Sequence, residues 1–270
     1  MTPIRFPPIP TDTARASEAA FGKDHPYLKI GDELNVVLSG VNLDTIASAD
    51  AALADSFWPY SLATILQYWE VLTDRQMANA TRTRVDLKYA LHLPLVFPGI
   101  DPSALCKFRQ RLLINQTGKQ ALQQVVDRLD AFIGGNEKPL SDSVVIISTI
   151  CEISRRETVM GTMSNAVEAL AASHPEWLRT VALPHWYRRY SYKQSSRQIS
   201  HTSKSIQASL QSVGADGQHL LEAVENSEDP HLVELPEIRS LRDEWRYQFE
   251  MENGQLRLRF QSCSNCENQF

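Results

Sequence analysis

Apolar residues recur at three- and four-residue spacing along most of this 270-residue chain. That is the period of a helix with one buried face, not the alternation of a half-buried strand. The stretch from Ser61 to Leu72 shows it, with Leu62, Ile65, Leu66, Trp69 and Leu72 on one side. Directly behind it, Thr73-Asp-Arg-Gln76 has the form of a capping box. In that motif the threonine hydroxyl accepts from the third helical amide and the glutamine side chain returns to the threonine amide. One helix therefore stops and another starts within a few residues. Asp101-Pro102 is a second start signal, with Asp at the cap and Pro at the first helical position. The expected fold class is mainly α, with a helix-turn-helix-like unit in an N-terminal module and further helices after it.

Composition agrees with a globular chain. Hydrophobic residues make up 43% and charged residues 22%, which excludes disorder as the main state. The charge-free stretches Phe57 to Trp69 and Ser143 to Cys151 fall short of the ~18 apolar residues a membrane span needs. The first ten residues hold four prolines and no apolar signal region, so a cytoplasmic location is expected. The sequence divides into an extended Pro-rich arm (1–15), a helical domain (16–133), a linker at 134–141 around Gly134-Gly135, a helical region (142–250) and an irregular tail (251–270). In the second region, Ser143 to Ile150 is β-branched enough for a strand, but the pattern reaching Ala172 favours a helix whose first turns stay open. Separate helices are expected over Lys204–Val213, Asp216–Glu225 and Pro236–Phe249.

A net charge of −5 argues against a chain that coats nucleic acid, yet the charge is unevenly placed. Thr73 to Leu113 carries seven basic and three acidic residues, Trp177 to Ser212 six basic and none acidic, and Val213 to Glu250 three basic against ten acidic. Within the first of these segments Arg75, Asn79 and Arg82 form one stripe beside the apolar side of their helix, Met77, Ala78, Thr81 and Val85. On the next helix Leu105, Phe108 and Leu112 face inward, Lys107 and Arg111 lie opposite, and Arg109 falls near the edge. Such stripes are either solvated surfaces or groups that bridge phosphates and base edges. Leu183-Pro-His-Trp-Tyr-Arg-Arg-Tyr190 likewise suits stacking on bases or a short helix that packs its rings inward. Cys106 and Cys151 read as buried thiols. Cys263 and Cys266 form a lone CxxC without further ligands, so no metal site is expected.

The segment Leu72 to Leu95, followed by Pro98 to Leu113, resembles the N-terminal domain of insertion-sequence transposases of the InsH type. The match is nearly continuous and includes the Lys88-Tyr-Ala-Leu and Phe108-Arg-Gln-Arg-Leu runs; Phe6-Pro-Pro-Ile-Pro, Leu183-Pro-His-Trp-Tyr and Gly214-Ala-Asp-Gly extend the resemblance to about Phe249. The resemblance implies binding of double-stranded DNA at the terminal inverted repeats of a mobile element, through Arg75, Asn79, Arg82, Lys88, Lys107, Arg109 and Arg111, with a homo-oligomer left open. Full-length enzymes of this kind cut and join DNA with an RNase H-like domain, whose two Asp and one Glu clamp Mg²⁺ ions around an in-line displacement. Asp142 matches the first of these carboxylates in register, although Val144 and Val145 replace the usual neighbours, and it reads equally as a helix N-cap. The contexts of the second Asp and the Glu are not found, so a truncated, non-catalytic chain that needs no cofactor is expected. The rival reading is a non-DNA helical interaction protein or an inert remnant.

Overall fold

In a computed structural model of the chain, residues 6–133, 142–190 and 203–259 are described. The expected linker at 134–141 and the pair Cys263 and Cys266 lie outside them. The chain separates into two units, one ending at Cys151 and the other beginning at Glu152, so the division falls inside a helix and downstream of the linker.

The first unit is built of α1 (Thr11–Ala20), α2 (Pro26–Asp32), α3 (Leu34–Val37), α4 (Leu43–Ala49), α5 (Ala51–Glu70), α6 (Asp74–Thr83), α7 (Val85–Ala90), α8 (Pro102–Ile114), α9 (Gln116–Ile133) and the start of α10 (Ser143–Ser173). α5 is the hub: it packs against α4, α6, α8 and α9. Its Phe57, Leu62, Ile65 and Leu66 are fully buried with Leu105 and Leu112 of α8 and Leu122, Val125 and Leu129 of α9. Side chains of this size each stabilise the fold by roughly 1.5–3 kcal/mol when buried. Residues 6–10 lie outside any helix, with Pro10 extended (φ −61°, ψ 137°), but α1 begins at Thr11, so residues 11–15 of the expected arm are helical. Phe6 rests on Trp58, with ring centroids 5.8 Å apart, and His92 Nδ1 lies 2.6 Å from the Pro7 carbonyl.

The junction of α5 and α6 follows the sequence closely. Val71 ends α5 in the left-handed region (φ 56°, ψ 46°), and the Leu72 amide reaches back to the Gln67 carbonyl at 3.0 Å. This is the Schellman pattern, strained here because the left-handed residue is β-branched. The capping box follows at once: the Gln76 amide donates to Thr73 Oγ1 at 3.2 Å and the Thr73 amide to Gln76 Oε1 at 2.9 Å. Asp101 likewise caps α8 by accepting from the Ser103 amide at 2.8 Å. Cys106 is the buried thiol the sequence predicts, whereas Cys151 is half-buried and is not a free thiol.

The second unit holds the rest of α10, α11 (Pro175–Val181), α12 (Trp186–Arg189), α13 (Ser203–Glu225), α14 (Pro230–Glu234), α15 (Pro236–Gln248) and a hairpin of β1 (Phe249–Glu252) and β2 (Gln255–Leu258). The β-branched run after Asp142 is helical from Ser143 onward, and Val159, Met163, Ala166 and Leu170 continue the buried face. The hairpin turns through Asn253 (φ 52°) and Gly254 (φ 76°), the Asn-Gly pair that two-residue turns favour, and Phe249 pairs with Leu258.

One expectation fails in an instructive way. Gly214-Ala-Asp-Gly217 marks a break in the sequence, but α13 runs through it unbroken. Both glycines are there for packing. A Cβ at Gly217 would sit 2.0 Å from Trp245 Cζ2, and one at Gly214 2.4 Å from Phe249 Cε1. The bare backbone lets the Trp245 indole donate to the Gly214 carbonyl at 2.9 Å.

The same substitution should therefore have opposite signs at two helical glycines. Gly161 of α10 has open space around it, so Gly161→Ala should stabilise by about 0.5–1 kcal/mol through helix propensity. Gly217→Ala forces a buried indole to move and should destabilise by about 1–3 kcal/mol despite the same gain. Urea unfolding followed by far-UV circular dichroism gives both signs; equal effects would refute the packing role.

Candidate nucleic-acid interface

α5 and α6 are joined by the three-residue turn Val71–Thr73, and α6 also packs on α8. What fixes α6 is polar and buried. Arg109, fully removed from solvent, donates to Asp74 Oδ2 at 2.6 Å, and Gln67 donates to Asp74 Oδ1 at 2.8 Å and to the Leu72 carbonyl at 3.1 Å. A guanidinium in an apolar core needs such partners. Arg109 therefore joins α8 to the first residue of α6 and is not a DNA contact, contrary to the surface role implied by the resemblance. Lys88 is corrected on the same ground: it is 4% exposed and its ammonium donates to the Leu95 carbonyl. Arg109 is buried against a carboxylate and Lys88 against a carbonyl, while Arg109 Nε has no hydrogen-bond partner among the described residues; helical periodicity reports none of this.

The remaining residues are outside. Arg75, Asn79 and Arg82 line the exposed side of α6, and Arg82 Nη2 donates to Asn79 Oδ1 at 2.6 Å, orienting the amide. Lys107 and Arg111 are exposed on α8. They leave that helix about 160° around from Arg109, on the side away from Asp74. Arg111 touches Asp50, the N-cap of α5, at 3.3 Å, an exposed contact that salt and competing anions weaken. Beside this surface Arg84 makes a two-pronged pair with Asp86, at 3.1 and 2.6 Å, and also binds Glu70, so it is committed to the fold.

Asp142 is exposed and accepts from the Val144 amide at 2.8 Å, the N-cap arrangement of α10. Among the described residues no group of three or more His, Cys, Asp or Glu converges to hold a metal ion. Among the described residues, then, the donor set that paired Mg²⁺ ions require does not surround Asp142. Further along α10, Arg155 and Arg156 are half-buried and bind Gln248 of α15 and Ser209 of α13.

The second unit contains a cluster that the sequence did not disclose. Asp216 of α13 is 4% exposed and accepts from His185 Nε2 at 2.8 Å, from the Tyr190 hydroxyl at 2.6 Å and from Arg189. Burial alone would raise this carboxyl, but hydrogen bonds from Tyr190, His185 and Arg189 outweigh it and hold Asp216 below the ordinary carboxylate value. Burial, reinforced by the Asp216 charge, pushes the Tyr190 phenol far up, so it stays protonated and donating. The signal was present as two motifs, Leu183-Pro-His-Trp-Tyr and Gly214-Ala-Asp-Gly, with nothing to say that they meet.

Two measurements test these networks. Arg109→Ala strands a buried Asp74 and should cost about 3–5 kcal/mol of unfolding free energy, whereas Arg75→Ala should stay within about 0.5 kcal/mol. For Asp216 the folded value lies below the unfolded one of about 3.9, so its stabilisation is complete above that pH and is lost as pH falls through the folded value. Asp216→Asn should lower stability at neutral pH and flatten the acid limb below about pH 4 in a pH series of thermal melts. An unchanged acid limb would count against the network.

The model of a family described as Transposase domain (DUF772) matches residues 56–111. No curated protein and no solved structure matches the chain. Among the described residues no helix is long and apolar enough to cross a membrane. The matched segment runs from α5 to α8 and contains Gln67, Asp74 and Arg109, so the helices locked by that buried pair are those similar to a transposase domain.

Proposed function

We propose that the first unit is the DNA-binding part of an insertion-sequence transposase of the InsH type, and that it recognises the terminal inverted repeats of a mobile element. The observation that carries this reading is where the matched segment falls. Residues 56–111 include α5 and α6, joined by a short turn that supports reading them as a helix–turn–helix pair, and Arg75, Asn79 and Arg82 of α6 are exposed. Arg and Asn are the side chains that read guanine and adenine edges in the major groove. Lys107 and Arg111 contact phosphates, which set register and affinity rather than sequence. The partner is double-stranded DNA, in the cytoplasm, and the chain acts as a binding component of a DDE-type system. Strand cleavage is assigned to none of the described carboxylates, because Asp142 works as a helix cap.

The decisive measurement is a gel-shift or anisotropy series against the repeats that flank the element, compared with scrambled duplex. Lys107→Ala combined with Arg111→Ala should weaken both duplexes alike and lower the log-log salt slope by about one to two, roughly 0.9 for each phosphate no longer neutralised. Asn79→Ala should instead weaken only the repeat, by about 1–3 kcal/mol of discrimination. Absence of binding at low salt would favour the rival reading of a helical protein without a DNA partner.

A further inference from the structure

We propose that α12 carries a second nucleic-acid site, one that takes an unpaired strand by stacking a base on Tyr187 and pairing a phosphate with Arg188. The inference does not rest on the duplex-binding reading, since it concerns the other unit and different residues.

The segment 185–190 is divided by function along one short helical path. His185, Arg189 and Tyr190 are held by the buried Asp216 carboxylate. Trp186 is 2% exposed and packs edge-on against Tyr190 and His219, with centroids 6.1 and 5.9 Å away. His219 also binds the Val181 carbonyl at the end of α11 at 3.1 Å, so α13 holds the chain on the N-terminal side of this segment as well. At about 100° per residue these four side chains occupy one side of the turn, and Tyr187 and Arg188 are left on the other. Tyr187 is 68% exposed and Arg188 is exposed; among the described residues neither has a hydrogen-bond, ionic or ring partner.

The contacts of His185, Trp186 and Tyr190 with α13 anchor the backbone that carries Tyr187. Its neighbour is a guanidinium, which matches phosphate by charge and by planar geometry. From Trp177 to Tyr190 the sequence has no acidic residue to repel an anion. A flat apolar face beside a cation fits a nucleobase with its phosphate. The base must be unpaired, because a duplex keeps its faces stacked, and the preference should be for strand form rather than sequence.

The test uses the full chain and a fluorescein-labelled oligothymidylate, read by anisotropy. Tyr187→Ala should weaken binding about 5- to 150-fold, the range set by one stacked base, while Tyr187→Phe should bind as the parent does. Arg188→Ala should weaken binding and lower the single-strand salt slope by about 0.7. Both side chains are exposed, so neither truncation should move the melting temperature. Binding equal to the parent in Tyr187→Ala, or an equal loss in Tyr187→Phe and Tyr187→Ala, would overturn the proposal. So would oligothymidylate binding abolished by Lys107→Ala with Arg111→Ala, which would give the strand to the first unit. Failure of duplex binding with intact Tyr187-dependent oligothymidylate binding would reject the reading of α6 and α8 and leave this one standing.

Discussion

The first unit depends on the contact between Arg109 and Asp74. A guanidinium withdrawn fully from water is tolerable only with a carboxylate and further dipoles around it, and here these come from the first residue of α6 and from Gln67 of α5. Three helices that hydrophobic burial alone could pack in several orientations are therefore held in one. Gln67 adds a second constraint because its amide also holds the Leu72 carbonyl, inside the turn where Val71 adopts a left-handed conformation. Backbone strain of this kind persists only where the surroundings over-determine it. The outward direction of Arg75, Asn79 and Arg82 follows from that fixed docking of α6.

The second unit uses the same device with different parts. Asp216 is the buried carboxylate, Arg189 its cation, and His185 and Tyr190 fill its remaining acceptor positions. α13 serves two neighbours at once. Gly214 and Gly217 give up their side chains so that Trp245 and Phe249 can approach, while Asp216, between them in sequence, points to α12. The motif reads as a break between helices, yet Gly214, Asp216 and Gly217 are each held by a neighbouring side chain. Arrangements of this type contribute orientation more than net stability, since a buried ion pair roughly repays its own desolvation.

Local signals were legible and non-local ones were not. The capping box at Thr73, the Asp101-Pro102 start and the inward faces of α5 and α8 depend on residues within one or two turns, and each stands where the sequence predicts it. Arg109 and Lys88 could not be placed in this way. A basic residue at the edge of an apolar stripe is solvated unless a partner lies on another helix, and the sequence alone does not show that Asp74 meets Arg109 or that the Leu95 carbonyl meets Lys88. Gly217 misleads for the converse reason: glycine is a poor helix residue by propensity, and only the indole packed against it explains why it stands in mid-helix.

Burial of these charges also changes how the net charge of −5 bears on DNA binding. Between Thr73 and Leu113, Asp74 and Asp86 are buried and cancelled by Arg109 and Arg84, and Lys88 is buried against a carbonyl. What reaches solvent from that segment is Arg75, Arg82, Lys107 and Arg111 against Asp101. The internal pairs thus remove cations and anions together, and of the cations left on the outer surface of α6 and α8 Arg111 has Asp50 beside it. Ten acidic residues that offset these cations in the total belong to Val213–Glu250, in the other unit. Because exposed charges are screened over about 10 Å at 0.1 M salt, a phosphate approaching α6 or α8 responds to the local set and not to the sum.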